Sequence, residues 1–154
     1  IHEKLTARLP EAIAPWAEPA AGDPFITVQA ASFYAVCKCL KDEPVFQFDL
    51  LRLISAVDHG AGQGLASVYH LYSTTHKHSV VLHVELEREQ PSMASVAGLW
   101  PAADWHEREA WDMMGIVYEG HPGLRRILLP EDWEGFPLRK DYVAPKEYHG
   151  VSNE

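Results

Sequence analysis

A chain of 154 residues with a formal net charge of −9 fits one domain, large enough to bury its own hydrophobic core without disulfide or metal support. Its 47% hydrophobic and 23% charged residues are ordinary for a globular protein. The acidic balance excludes nucleic acid as a main partner, because phosphate binding needs a basic footprint. Lipid is disfavoured on the same ground, and no apolar run reaches the roughly 20 residues of a membrane helix, so membrane contact is expected only through partners. No segment resembles a secretory signal.

Residues 2–9 suit a short helix with Leu5 and Leu9 on one face, interrupted by Pro10 and Pro15. A Pro/Ala/Gly connector follows at residues 15–24. Residues 25–29 have the β-branched and aromatic content of a strand. Residues 31–40 suit a helix that aligns Phe33, Val36, Cys37 and Leu40. The two cysteines, Cys37 and Cys39, point to different faces of that helix and are poorly placed to pair, which favours a reducing compartment. Both read as small core residues.

Residues 45–60 mix an alternating start with helical spacing at Phe46, Leu50, Leu53, Ile54 and Val57. The expectation there is a short strand or turn, a brief helix and a strand into Val57. After a glycine-rich turn at 59–64, residues 65–74 and 80–87 alternate, with Val80, Leu82, Val84 and Leu86 inward. The loop at 75–79 joins them as an antiparallel hairpin. Residues 92–97 suit a short helix stopped by Gly98. This order predicts an α+β fold: a mixed or antiparallel sheet, helices packed on one face, and a long irregular C-terminal tail. Residues 1–142 form the expected domain and 143–154 a tail segment.

Charge, aromatics and special backbone residues concentrate between Asp104 and Tyr142. Asp104 is a candidate N-cap, Glu107 completes a D-x-x-E variant of the capping box, and Gly115 can close the helix in the left-handed conformation. Trp105, Trp111 and Met114 would anchor this helix to the core. Arg108, four residues from both Asp104 and Asp112, can pair with either carboxylate on one face. Such pairs contribute only about 0.3–0.5 kcal/mol each when exposed, which leaves partner recognition as a further use for the set. Beyond Gly115 the basic pairs Arg125-Arg126 and Arg139-Lys140 sit among Leu124, Ile127, Leu128, Leu129, Trp133 and Phe136. Arginine beside large apolar groups matches the composition of protein interfaces.

Catalytic readings have little behind them. Glu107 and Glu109 lie about 200° apart on a helix and cannot jointly flank a substrate. His76 and His78, with His70 or His83 nearby, make the best metal-enzyme arrangement among nine histidines, but lack the carboxylate or cysteine framework of a strong zinc signature. No phosphate-binding loop, dinucleotide fingerprint or nucleophile elbow is present, and two cysteines are too few for a four-thiolate cluster.

At the central stretch the sequence closely resembles the 30 kDa subunit family of respiratory complex I, the proton-pumping NADH–quinone oxidoreductase. The residues that carry the resemblance are Glu107-Arg108-Glu109, Asp112, Met113-Met114, His121, Arg125 and Ile127-Leu128, followed by PEDWEGFPLRKDY from Pro130 to Tyr142. Weaker similarity at Ala56-Val57-Asp58 and Tyr69-His70-Leu71 extends it over most of the chain. Met114 stands where the family often has an aromatic.

The resemblance implies a subunit of the peripheral arm with no catalytic, cofactor-binding or metal-binding residues of its own, packed against the quinone-site subunit of the 49 kDa type. NADH, FMN, iron–sulfur clusters and quinone would be held by partner subunits. The complex would lie on the cytoplasmic side of the cell membrane, or the matrix side in a mitochondrion. Glu107, Arg108, Asp112, His121, Arg125 and Arg126 would fix the loops, Glu109 belongs to the same motif, and Arg139-Lys140-Asp141 would dock. Reversing Arg125 and Arg126 together is expected to weaken assembly and leave the fold intact. The alternatives are the equivalent subunit of a membrane-bound NiFe hydrogenase or related complex, and a stand-alone metal enzyme built on the histidines.

Overall fold

Alternation of large apolar side chains builds the centre of the molecule, a four-stranded mixed sheet. The computed structural model describes residues 1–16, 24–60 and 62–152. A short helix α1 (His2–Thr6) precedes β1 (Ile26–Thr27), and a 3₁₀ turn at Ala30–Ser32 leads into α2 (Phe33–Asp42). Then come β2 (Leu50–Asp58), β3 (Leu65–Ser73) and β4 (His78–Leu86), β5 (Ser92–Ala94), α3 (Ala103–Met114) and β6 (Val117–Glu119). A small hairpin, β7 (Glu147–Tyr148) and β8 (Val151–Ser152), ends the described chain. Most of the connector expected at 15–24 lies outside the described residues.

The sheet order is β1-β4-β3-β2, with β1 parallel to β4 and the other pairs antiparallel. β3 and β4 form the expected hairpin, pairing from Leu65↔Leu86 to Ser73↔His78. Val80, Leu82, Val84 and Leu86 are buried, as their alternation requires. On α2 the aligned Phe33, Val36, Cys37 and Leu40 are all buried, and the Phe33 ring lies 4.5 Å from that of Tyr69 on β3. Cys37 and Cys39 are free thiols, and burial raises the pKa of both above the ordinary value. Ala110, Met113 and Met114 of α3 join the same core. Each large side chain buried there contributes about 1.5–3 kcal/mol.

Two expected elements differ. Residues 50–58 form one strand with no helix, its register shifted between Leu51 and Leu53, and Leu50, Leu53 and Val57 of the helical-looking spacing are exposed. The bulge changes the parity of the strand, so its buried residues Leu51 and Ile54 fall three apart. Residues 92–94 form β5 instead of a helix, because β6 arrives from beyond α3 and pairs with it in parallel.

Candidate functional site

Helix α3 places its charges differently from the capping scheme that its sequence suggests. The helix starts two residues earlier than expected, with Ala102 in place of Asp104 at the cap position and no side-chain cap. Asp104 sits in the first turn, where a carboxylate still favours the helix dipole. Glu107 turns into the core and is fully buried. Its Oε2 accepts from Ser95 Oγ at 2.5 Å and its Oε1 from the Val96 amide at 2.8 Å, so it closes the segment after β5 and not the helix end. Burial pushes its pKa up to about 7, against the two hydrogen bonds that favour the charged form.

The C-terminal end follows the sequence. Gly115 adopts φ 75° and its amide donates to Trp111 O at 2.8 Å. A Cβ at this position would lie 2.6 Å from the Phe136 ring, so glycine also admits the tail. The expected anchors divide: Met114 is buried and Trp111 partly so, whereas Trp105 is 63% exposed.

Asp112 organises the tail. It is fully buried, and its Oδ2 accepts from three consecutive amides, Ile127 at 2.9 Å, Leu128 at 2.8 Å and Leu129 at 3.0 Å. Successive amides turned towards one oxygen make an anion cradle. Its Oδ1 accepts from Arg126 Nη1 at 2.7 Å. Burial alone would raise the Asp112 pKa, but the amides and the guanidinium outweigh it and hold the carboxyl below its ordinary value. Arg126 Nη2 donates onward to Trp133 O at 2.7 Å and Gly135 O at 3.2 Å, and its guanidinium lies over the Trp111 and Phe136 rings.

The expected pairing of Arg108 with Asp104 and Asp112 does not form. Arg108 Nε donates to Arg125 O and its Nη2 to Arg126 O, each at 3.2 Å, and the guanidinium covers the Trp105 ring. Asp104 meets His121 instead, through its backbone O at 3.2 Å and Oδ1 at 3.4 Å from Nε2. His121 Nδ1 accepts from the Gly123 amide at 3.0 Å, which leaves the donor proton on Nε2. Glu107, Arg108, Asp112, His121 and Arg126 therefore all hold segments of their own chain. Reversing Arg125 and Arg126 together would consequently not spare the fold, because Arg126 is internal structure. Arg125 differs from its neighbour: its side chain is exposed and has no hydrogen-bond or ion-pair partner among the described residues. Glu109 is exposed as well, and lines a cleft of about 220 Å³ with Leu53, Ala110, Met113 and Leu138.

The tail ends on the sheet. Arg139 Nε donates to Met114 O at 2.6 Å and the Lys140 amide to Asp58 Oδ2 at 2.7 Å. Arg88 bridges the junction, bonding Asp58, Gly60 O at 2.9 Å, Gln63 O at 2.8 Å and Asp141 Oδ2 at 2.8 Å. Burial opposes ionisation of Asp58, but the Lys140 and Gly60 amides and Arg88 hold its pKa down. Neither Asp58 nor Arg88 stands out in the sequence as part of this site. The one hint of it is the weak similarity around Ala56-Val57-Asp58.

The histidine arrangement expected for a metal enzyme is not assembled. His76 Nε2 bonds Pro44 O at 2.9 Å and His78 Nε2 bonds Phe46 O at 3.1 Å, so these rings brace the segment before β2. Among the described residues, the group with the spacing of metal ligands is His59, His83 and Glu85, which shares only His83 with the expected set.

Comparison with known proteins gives this arrangement its setting. Residues 26–148 match the family described as respiratory-chain NADH dehydrogenase, 30 Kd subunit. The C subunit of NADH-quinone oxidoreductase from Chloroherpeton thalassium is 46% identical over 130 residues, covering 83% of this chain and 54% of that protein. The corresponding subunit of Roseiflexus sp. (strain RS-1) is 45% identical over 142 residues, 92% of this chain and 81% of that protein. The chain thus spans about half the length of the first relative and most of the second. Among solved structures, a trypsin-resistant fragment (1-134) of Nqo5 has a TM-score of 0.58 at 25% identity, covering 79% of this chain and 95% of that one. A chain of the membrane-bound sulfane sulfur reductase, an archaeal respiratory membrane complex, has a TM-score of 0.74 at 22% identity, covering 92% and 82% respectively. The second likeness is one of fold.

Proposed function

The chain belongs to the 30 kDa subunit family of the respiratory-chain NADH dehydrogenase, and on that premise we propose that it is a non-catalytic subunit in the peripheral arm of a proton-pumping NADH–quinone oxidoreductase. In this reading it carries no electrons. NADH, FMN, the iron–sulfur clusters and quinone belong to partner subunits, and its contribution is a rigid surface that supports the quinone-site subunit of the 49 kDa type. Membrane association comes through that complex, on the cytoplasmic or matrix side. No helix among the described residues is long and apolar enough to cross a membrane, which accords with this.

The observation that carries the reading is the division of labour in the family's motif. Its charged side chains mostly face inward and fix the tail. That leaves Arg125, Leu128, Leu138 and the outer side chains of α3 presented on a backbone with little freedom to move. Leu128 and Leu138 are 62% and 57% exposed, and Trp105 more so. Exposed apolar groups beside arginine, held rigidly, are the composition of an interface whose ordering entropy has been lost before binding.

Isolation of a tagged copy from its native membranes in mild detergent tests the proposal. Recovery of flavin and iron–sulfur subunits, with oxidation of NADH by quinone in the eluate, is the expected result. Recovery of a hydrogenase-type large subunit without NADH oxidation would move the chain to a related membrane-bound complex, a reading that the fold shared with the archaeal complex keeps in view. An Arg125→Glu, Leu128→Asp variant should lose the quinone-site subunit. Unchanged co-purification would remove this surface as the docking face.

A further inference from the structure

On the sheet face turned away from α2 and α3, two imidazoles and a carboxylate converge. Strand β4 contributes His83 and Glu85, which are two residues apart and so project from one face. His59 follows the last residue of β2, two positions beyond Val57, and projects from the same face. Strand β3 separates β2 from β4, so His59 must reach across it to meet the other two. The residue it crosses near is small: Ala66 pairs with both Val57 and Glu85, and is fully buried on a face that is otherwise half open.

The distances fit a metal. His59 Nε2 lies 3.3 Å from Glu85 Oε2, and His83 Nδ1 lies 3.5 Å from Glu85 Oε1. All three ligand atoms fall within 4.8 Å of one another. A tetrahedral zinc ion with bonds of about 2.0–2.2 Å to nitrogen and oxygen imposes ligand separations of about 3.4 Å, which each imidazole meets against a different one of the two Glu85 oxygens. His59 Nε2 is also shielded from solvent and makes no hydrogen bond among the described residues, although a carboxylate oxygen is close. A nitrogen lone pair aimed at a shared centre accounts for both features. The Phe25 ring, 4.9 Å from that of His83, steadies one ligand from outside the group.

We propose that His59, His83 and Glu85 form a binding site for a zinc-class divalent cation, with the fourth position open to water. Two imidazoles select against calcium and magnesium, which take oxygen ligands. The ion would tie the β2–β3 connection to β4 immediately beside Asp58 and Arg88, where the tail is anchored. It would therefore hold the junction on which the proposed docking surface rests. The site stands independently of the complex to which the chain is assigned.

The test is titration of the whole chain, prepared without a histidine tag, with ZnCl2 by calorimetry and equilibrium dialysis. One zinc per chain is expected, weakened at least tenfold in Glu85→Gln and in His59→Gln and unchanged in the paired His76→Gln, His78→Gln variant. Glu85 is more than half exposed, so its substitution leaves the fold in place. As a measurement that needs no variant, CoCl2 should give the intense visible absorption of a four-coordinate ion. Absence of saturable binding, equal affinity in Glu85→Gln, or loss of zinc only in the His76/His78 variant would each overturn the assignment.

Discussion

The sheet and the tail are held together by different forces. In β3 and β4 the buried side chains are mostly aliphatic or aromatic, Ser67 and Ser73 apart, and their partners lie along a nine-residue register. From Leu124 to Tyr142 regular structure is lacking, and the segment is fastened by a few buried charges: Asp112 with Arg126, Asp58 with Arg88, and Arg139 on the end of α3. Hydrophobic burial is spread over many contacts, so one lost methylene weakens a sheet only slightly. A charge clamp concentrates its effect, because removing one partner leaves the other buried and unpaired. The tail should therefore be able to fail as a unit while the sheet persists.

Asp112→Asn should show the largest effect. It removes the negative charge from a fully buried carboxylate that faces three amides and a guanidinium. Leaving Arg126 unpaired costs about 3–5 kcal/mol. Urea denaturation measures the loss, and limited proteolysis should find new cleavage between residues 124 and 142 before any in β3 or β4. Simultaneous digestion of both regions would show that tail and sheet form one cooperative unit.

Glu107 separates the two regions by pH. Its folded pKa of about 7 lies above its ordinary 4.5, so the folded state keeps a proton that the unfolded chain has released. Its contribution is fully present below about pH 4.5 and declines as pH rises to about 7, by about 3 kcal/mol in total. Asp112 has the opposite sign: its folded pKa is depressed, so its stabilisation is present above the ordinary carboxylate pKa and is lost as acid protonates it. Glu107→Gln keeps an acceptor for the Val96 amide and turns an amide N–H towards Ser95 Oγ, which then accepts where it had donated. It should flatten the decline between pH 5 and 8, read from thermal melts, and gain stability at the alkaline end. A variant whose pH profile matches the parent would show that Glu107 is not the group responsible.

Gly115→Ala should cost about 1–3 kcal/mol, since φ 75° and a 2.6 Å approach to Phe136 both oppose a side chain. Its loss should loosen Phe136 and Arg139 in the tail while Phe33 and Tyr69 keep their packing. Trp133 fluorescence and near-ultraviolet circular dichroism distinguish the two cases.

What the sequence reveals follows the same division. Val80 to Leu86, the apolar face of α2 and the αL cap at Gly115 are written in local spacing, and each appears where that spacing puts it. The strand at 50–58 is obscured because Leu50, Leu53 and Val57 are apolar yet exposed, so their helical spacing marks no buried face. β5 is obscured because its partner β6 lies beyond a helix. The motif residues are identifiable, but their directions are not. Glu107 and Asp112 have the composition of a solvated helix face, and only the segment after β5 and the return of the tail supply the amides that make burial tolerable. Asp58 and Arg88 join residues thirty apart with the far end of the tail, and no local pattern encodes that.

The smallest effect on stability should come from Arg125→Glu, and its smallness is the point of the comparison. Arg125 and Arg126 are adjacent and chemically identical, yet one guanidinium is exposed without a partner among the described residues and the other bonds Asp112, Trp133 and Gly135. Reversing the exposed charge should change stability by no more than about 0.5 kcal/mol. The protease resistance of the tail should remain, whereas Arg126→Glu should abolish it. If Arg125→Glu also lowered the unfolding midpoint by an amount equivalent to about 2 kcal/mol, a size reserved for groups inside a buried network, Arg125 would belong to the clamp. The tail would then have no free charge at this point for a partner subunit to read.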